Sequence, residues 1–108
     1  MNEPEGYKKT GTLERVQKVY IRDPAVKSCV LQGSKGVCER CSENTPFLIN
    51  GDIPYLEVYH VIPLSLSGAD TISNCVALCP NCHRALHYSQ NSEELIEELY
   101  INIKRLQR

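Results

Sequence analysis

The sequence predicts a small α+β domain held together by metal-binding cysteines. A chain of 108 residues has the length of one domain, and a domain of this size buries only a limited core. Six cysteines are many for such a chain, and four of them form two CxxC pairs. Short strand-like segments in the middle of the chain lie between segments with helical patterns. These observations favour a domain of short helices and strands that a metal cross-links. They argue against a domain that is stabilised by a large apolar core alone.

Composition narrows the function classes. The formal net charge of −1 and the pI of about 6.3 argue against a strongly basic nucleic-acid binder, although a local basic face is compatible with them. The chain contains no apolar run of transmembrane length, and its first ten residues, MNEPEGYKKT, lack the apolar core of a signal peptide. We therefore expect a cytoplasmic protein without membrane contact. Because thiols stay reduced in the cytosol, metal binding explains the cysteines better than disulfides do.

The chain is predicted to divide at residue 22. Residues 1–21 are predicted to form an N-terminal tail or linker with a short helix at 12–21, and residues 22–108 are predicted to form the domain. Asp23 as N-cap and Pro24 at the first helical position predict a helix over 24–32 that stops at Gly33. Its inward side chains are expected to be Val26, Val30 and Leu31.

The middle of the chain predicts a β-hairpin. Residues 47–49 and 55–61 have strand character, and the Asn50–Gly51 pair between them is a strong turn signal. Residues 65–74 are predicted to be a turn-rich loop, and the following CVALC a short apolar connection.

Two helices are predicted at the C-terminal end. Pro80 is expected to open a helix that runs through His83 and His87. Ser92 is expected to cap a last helix over 93–107. This helix has an apolar stripe suited to packing, formed by Leu95, Leu99, Ile103 and Leu106 and widened by Ile96 and Tyr100.

The two CxxC pairs predict a closed metal site. Cys38, Cys41, Cys79 and Cys82 together supply the four thiolates of a tetrahedral site, which is a structural arrangement without an open position. Redox motifs or chance pairs are the alternative, and the turn residues around each pair favour the metal. The remaining cysteines, Cys29 and Cys75, are expected to be small buried hydrophobes.

A second set of residues suggests another ion. His83 and His87 are spaced i, i+4, so they project from one helical face and can share a metal, whereas a solvated helical pair is the plainer interpretation. Taken alone, His60 reads as a half-buried strand histidine and Asn74 as a turn residue. The set His60, Asn74 and His83 suggests a hairpin and a helix folded around one divalent ion.

In order, the segments CERC, HVIPLS, GADTISN and CPNCHRALH resemble the HNH endonuclease family, and specifically its zinc-stapled, McrA-like branch. The resemblance covers roughly residues 22–88. It implies a ββα-metal fold with flanking helices and a metal-dependent endonuclease that hydrolyses DNA phosphodiester bonds in restriction or defence. It also implies that the four CxxC cysteines bind structural Zn²⁺.

The resemblance implies a role for each residue of the second set. His60 would be the general base, and Asn74 would brace the loop that holds it. His83 would be a ligand of the catalytic ion, with His87 as a second ligand from the same helix. Mg²⁺, Mn²⁺, Ni²⁺ or Co²⁺ would serve as that ion.

Tyr59 departs from the family pattern, which usually has His or Asp at this position next to the metal. A phenol is a poor ligand for a hard divalent ion unless it is ionised. The centre could work with weaker metal affinity, or the chain could be an inactive zinc-stapled module that binds nucleic acid without cutting it. A substitution introduced to trap the protein is a third interpretation.

DNA is the expected partner. The near-neutral net charge predicts weak non-specific affinity, because such affinity depends on Lys and Arg neutralising phosphates. Target choice is therefore expected to come from a DNA-recognition domain or a partner protein. The sequence leaves base-modification specificity and oligomeric state open.

Overall fold

A computed structural model of the chain describes residues 20 and 22–108. Within these residues lie three α-helices and two two-stranded sheets, in the order α1 (Pro24–Ser34), β1 (Leu48–Ile49), β2 (Ile53–Pro54), β3 (Glu57–His60), β4 (Cys75–Leu78), α2 (Pro80–Tyr88) and α3 (Ser92–Asn102). The helix predicted at 12–21 lies outside the described residues, apart from Tyr20. None of the described helices combines the length and apolar character needed to cross a membrane.

The β3–β4 ladder is the centre of the fold. The strands pair antiparallel, with Tyr59 opposite Val76 and His60 opposite Cys75. All four residues of β4 are buried, and α1 and α2 both pack against the ladder. The prediction that this segment is only a connection was wrong. A strand covered on both faces has a continuous apolar run instead of an alternating pattern, which makes it hard to tell from a buried connection.

The predicted hairpin is real but shorter than expected. Asn50 and Gly51 both adopt positive φ, at 46° and 93°, as a tight hairpin turn requires. β1 pairs with β2 only, however, and the second predicted strand of 55–61 instead continues as β3 to pair with β4. Pro54 has no backbone N–H to extend the small ladder, so the chain leaves it there and joins the buried strand.

Helix α1 begins as predicted and ends two residues late. The Asp23 carboxylate accepts a hydrogen bond from the Ala25 amide at 2.9 Å, which confirms the cap. Gly33 lies inside the helix, and Lys35 at φ 54° ends it in the left-handed conformation. Val30 is buried, and the other two predicted inward residues pack partly against the core.

Helix α3 is shorter than predicted. It starts after Asn91, with Ser92 as its first residue instead of its cap, and it ends at Asn102. The remaining residues turn back toward the domain, where the Gln107 amide donates to the Ser73 carbonyl at 2.9 Å. Leu95, Leu99 and Leu106 are buried in the core as the apolar stripe predicted.

Arg105 explains why the chain turns back. Its two terminal nitrogens each lie 2.6 Å from a carboxylate oxygen of Glu39, which belongs to the first CxxC pair. It also donates to the carbonyls of Cys75 at 2.8 Å and Ile72 at 3.1 Å. The same Glu39 carboxylate accepts from the Ala77 amide at 2.9 Å. A bidentate ion pair thus attaches the C-terminal segment to the first CxxC loop and to β4.

Arg105→Ala is expected to lower the free energy of unfolding by about 1–3 kcal/mol, since it leaves the half-buried Glu39 carboxylate without its charged partner. Urea denaturation with zinc content held constant measures this. Arg108→Ala is the matched control, because Arg108 pairs with Glu97 on the surface and should change stability little. Equal stability of the parent and Arg105→Ala would contradict the structural role given to the pair.

Candidate metal centres and active site

The four CxxC cysteines meet as predicted. Their sulfur atoms all lie within 4.8 Å of one another, and the Sγ atoms of Cys41 and Cys79 are 3.9 Å apart. Tetrahedral zinc with Zn–S bonds of about 2.3 Å needs sulfurs about 3.8 Å apart, so the group fits Zn²⁺. No cysteine of the described residues is in a disulfide. The predicted fold class, a small α+β domain with a four-cysteine zinc site, is confirmed.

Local backbone geometry forms the two halves of the zinc site. In the first half, the Cys38 amide donates a hydrogen bond to the Glu43 carbonyl, and the Ser42 amide donates one to the Cys38 carbonyl, both at 2.9 Å. In the second, Cys79 is the N-cap of α2, and its sulfur accepts from the Cys82 amide at 3.5 Å. These hydrogen bonds fix the backbone on each side of the site and so fix where the sulfurs lie.

The charge of the thiolates is partly offset by the protein. Burial acts to raise the pKa of the Cys38 thiol, but hydrogen bonds from the backbone of Cys41, Cys79 and Arg40 outweigh it and lower the pKa to about 7. The Arg40 guanidinium also lies 3.4 Å from the Cys82 sulfur. Because four thiolates carry more charge than one Zn²⁺ neutralises, a nearby cation stabilises the loaded site.

The two remaining cysteines differ from each other. Cys75 is fully buried in β4, as predicted. Cys29 is exposed, so the prediction that it is buried was wrong. It lies on the outer face of α1, one residue before the buried Val30, and a one-residue step rotates a helical position away from the core.

The predicted site residues on β3 and α2 line one depression with a volume of about 350 Å³. His60 reaches it from the end of β3, and His83 and His87 reach it from α2. The two α2 imidazoles lie side by side, with ring centroids 4.9 Å apart. The i, i+4 spacing therefore does bring them together, on the same side of the domain as His60.

Glu57 orients the first of these imidazoles. The His83 Nδ1 lies 2.9 Å from one Glu57 carboxylate oxygen, and the other oxygen accepts the Tyr55 hydroxyl at 2.7 Å. These two hydrogen bonds, that from Tyr55 first, lower the pKa of Glu57. A carboxylate on Nδ1 leaves the Nε2 lone pair of His83 for an ion. Sequence reasoning missed Glu57, although strand alternation puts it on the same face of β3 as Tyr59.

Tyr59 fills the space between β3 and α2. Its side chain is buried at 6% exposure, and its ring centroid lies 5.6 Å from that of His83 and 5.3 Å from that of His87. Burial raises the pKa of the phenol, which keeps it protonated and a poor ligand. Among the described residues, two clusters of three or more Cys, His, Asp or Glu side chains have donor atoms within 4.8 Å, and neither contains His83 or His87.

His60 has a carboxylate partner that sequence reasoning missed. Its Nε2 lies 2.8 Å from Asp70 Oδ1, and Asp70 Oδ2 accepts from the Asp23 amide at 2.6 Å. The hydrogen bond with His60, followed by that from the Asp23 amide, lowers the pKa of Asp70. Spacing along the chain carries no signal for this pair, because the loop after β3 must close before the two residues meet.

Asn74 is buried and links the two ends of that loop. Its amide nitrogen donates to the carbonyls of Ile62 at 2.9 Å and Ala69 at 2.8 Å, and its carbonyl accepts from the Ile62 amide at 2.9 Å. Within the loop, a Cβ on Gly68 would lie 1.8 Å from the Ile62 carbonyl oxygen, so only glycine fits. Asn74 has no hydrogen bond to the His60 ring. It holds the backbone on both sides of the loop instead.

Comparison with known proteins supports the resemblance. The family model for HNH endonuclease matches residues 38–89. The type IV methyl-directed restriction enzyme EcoKMcrA of Escherichia coli (strain K12) is 64% identical over 108 residues, which is all of this chain and 39% of that protein. The structure of the type IV phosphorothioation-dependent restriction endonuclease ScoMcrA matches with a TM-score of 0.70 and 35% identity, over 80% of this chain and 17% of that one. The chain thus spans well under half the length of either relative.

Cys79→Ser is expected to lose zinc and to unfold or lose most of its stability, because the metal supplies folding free energy at such sites. Metal analysis of protein purified without added zinc, together with circular dichroism, measures both effects. Cys29→Ser is the matched control and should keep one zinc per chain, since Cys29 is exposed and outside the cluster. A folded, zinc-loaded Cys79→Ser protein would contradict the assignment.

Proposed function

We propose that the chain is a member of the HNH endonuclease family, whose model matches residues 38–89, and that it hydrolyses DNA phosphodiester bonds in restriction or defence. The observation behind this proposal is that His60 from β3 and His83 and His87 from α2 line one depression. A proton acceptor and a pair of metal-binding imidazoles on one surface are what metal-dependent phosphodiester hydrolysis needs.

His60 is the proposed general base. An imidazole can take a proton from an attacking water near neutral pH. Its position depends on the strand end and on the loop that follows, and the buried Asn74 side chain ties that loop closed through three hydrogen bonds. Asn74 therefore acts on the base through the backbone, as a brace.

His83 and His87 are the proposed ligands of a catalytic Mg²⁺, Mn²⁺, Ni²⁺ or Co²⁺ ion. Such an ion, when bound, polarises the phosphate and supports the leaving oxygen. The chain's own contribution is to present two imidazoles on one helical face, with His83 oriented by Glu57. The exposed Arg84 lies beside them in the depression formed with Tyr88, where it can contact a phosphate.

Target selection is proposed to come from a DNA-recognition domain or a partner protein. Both relatives are much longer than this chain, and their names describe methyl-directed and phosphorothioation-dependent enzymes. The chain itself has 12 basic and 13 acidic residues, which gives little net attraction for phosphates. Within the proposal, residues 22–108 are the cutting module.

A zinc-stapled module that binds nucleic acid without cutting it is the second candidate. The observation that favours it is Tyr59, whose buried, protonated phenol takes the place where the family usually supplies His or Asp. The ion then has only two protein ligands. The intact set of His60, Asn74, His83 and His87 favours the nuclease.

His60→Ala is expected to lower the rate of plasmid nicking by about 10²–10⁴-fold, the usual contribution of a general base. The assay uses supercoiled DNA with each of the four divalent ions and an EDTA control. The zinc content and circular dichroism spectrum of the variant should match those of the parent. Cys29→Ser, purified in the same way, is the control and should cut at the parental rate. Equal cutting by parent and variant would exclude His60 as the base. Absence of cutting by the parent with every ion, with DNA binding retained, would favour the second candidate.

Tyr59→His is expected to bind divalent metal more tightly and to nick faster, because a third imidazole adds a ligand and fixes the position of the ion. Misplacement by about 1 Å can cost on the order of 10²-fold in rate. Calorimetric titration with Mn²⁺, Ni²⁺ and Co²⁺ is paired with nicking rates. Tyr59→Phe removes only the hydroxyl and should bind metal as the parent does. If Tyr59→His shows neither gain, Tyr59 does not occupy a ligand position.

A further inference from the structure

We propose that Asp70 is a positioning residue for His60, whose carboxylate holds the imidazole hydrogen on Nε2 and so leaves Nδ1 as the proton acceptor. The inference rests on the proposed function, in which His60 is the general base. Asp70 lies in the GADTISN segment, but the resemblance gave roles only to His60, Asn74, His83 and His87.

The contact is close and largely shielded from water. His60 Nε2 and Asp70 Oδ1 are 2.8 Å apart, and the two side chains are only 14% and 15% exposed. A carboxylate can only accept a hydrogen bond when ionised, so the nitrogen facing it must carry the hydrogen. The other nitrogen of a neutral imidazole then has the free lone pair.

The carboxylate is itself held in place from two directions. Its second oxygen accepts the Asp23 amide at 2.6 Å, at the start of α1. The preceding carbonyl, that of Ala69, accepts from the Asn74 side chain at 2.8 Å. Helix α1 and the buried Asn74 therefore fix the position of Asp70, and Asp70 fixes the ring of His60.

The ring lies between two depressions. His60 lines the one shared with His83 and His87, and it also lines a second one with Asp70, Asp23 and other residues near the start of α1. The contact with Asp70 occupies Nε2 on the second side. Nδ1 is the ring nitrogen that remains for a water molecule.

A metal site is the competing explanation for this cluster. His60, Asp70 and Cys75 have donor atoms within 4.8 Å of one another. Ligands at about 2.0–2.1 Å from a tetrahedral zinc lie roughly 3.3 Å apart, whereas 2.8 Å is a hydrogen-bond distance. The geometry therefore favours the hydrogen-bonded pair.

The activity test compares Asp70→Asn and Asp70→Ala with the parent in the nicking assay. Both variants are expected to lose about 10- to 100-fold in kcat, as when a carboxylate that orients a functional histidine is removed, with KM for DNA and zinc content unchanged. Asp70→Glu should recover part of the loss. The matched control is Asp52→Asn, which changes an exposed aspartate in the hairpin turn and should cut as the parent does. If His60→Ala abolishes cutting while Asp70→Asn cuts at the parental rate, the role of Asp70 is overturned and the nuclease proposal stands.

A second readout does not depend on cutting. Nitrogen-15 spectra of the imidazole rings identify which ring nitrogen carries the hydrogen, and the chain has only three histidines to assign, with His60 identified by its loss in His60→Ala. We expect His60 to carry the hydrogen on Nε2 in the parent and to lose that preference in Asp70→Ala, with His83 and His87 unchanged. A hydrogen on Nδ1 in the parent, or the same form in Asp70→Ala, would refute the proposal even in a protein that cuts no DNA.

Discussion

The four-cysteine zinc site is the constraint on which the rest of the structure depends. It joins the loop that carries Cys38 to the first turn of α2, and β4 ends where that turn begins. A chain this short has little apolar surface to define its arrangement without such a cross-link. His83 directly follows Cys82, so the cysteines that orient the start of α2 also orient its two imidazoles toward β3. The structural cysteine site thus sets the position of the two proposed metal ligands.

Local signals predicted much of the fold, and long-range pairing limited the rest. Caps, the Asn50–Gly51 turn and the CxxC and i, i+4 spacings act within a few residues, so the sequence alone sufficed for them. The role of β4 as the central strand depends on its coverage by helices on both faces, and the early end of α3 depends on Arg105 meeting Glu39. In the site, family motifs indicated the histidines and Asn74, whereas Glu57 and Asp70 become visible only when strand, loop and helix meet.

Two carboxylates contact opposite ring nitrogens of two histidines in the depression. Glu57 contacts Nδ1 of His83, whereas Asp70 contacts Nε2 of His60. Opposite nitrogens therefore remain free, Nε2 on the helix and Nδ1 at the strand end. The hydrogen bonds with His60 and from the Asp23 amide lower the pKa of Asp70, and those from Tyr55 and His83 lower the pKa of Glu57, so both carboxyls are ionised at neutral pH. Such support reduces the reorganisation that each imidazole would otherwise need before it could bind an ion or take a proton.

Tyr59 packs well against the two α2 imidazoles but offers a divalent ion no good ligand. Its ring contacts both α2 imidazoles edge-on, an arrangement that aromatic rings favour, so it orders the pair while supplying no ligand. Under the proposed function, an ion held by two protein ligands must complete its coordination with water and substrate phosphate. Phosphate would then contribute to metal affinity, and by thermodynamic linkage the ion would contribute equally to DNA affinity. Under the proposed function, such a centre would be loaded mainly when DNA is present, as expected of a cutting module whose target is chosen by a separate recognition domain or partner protein.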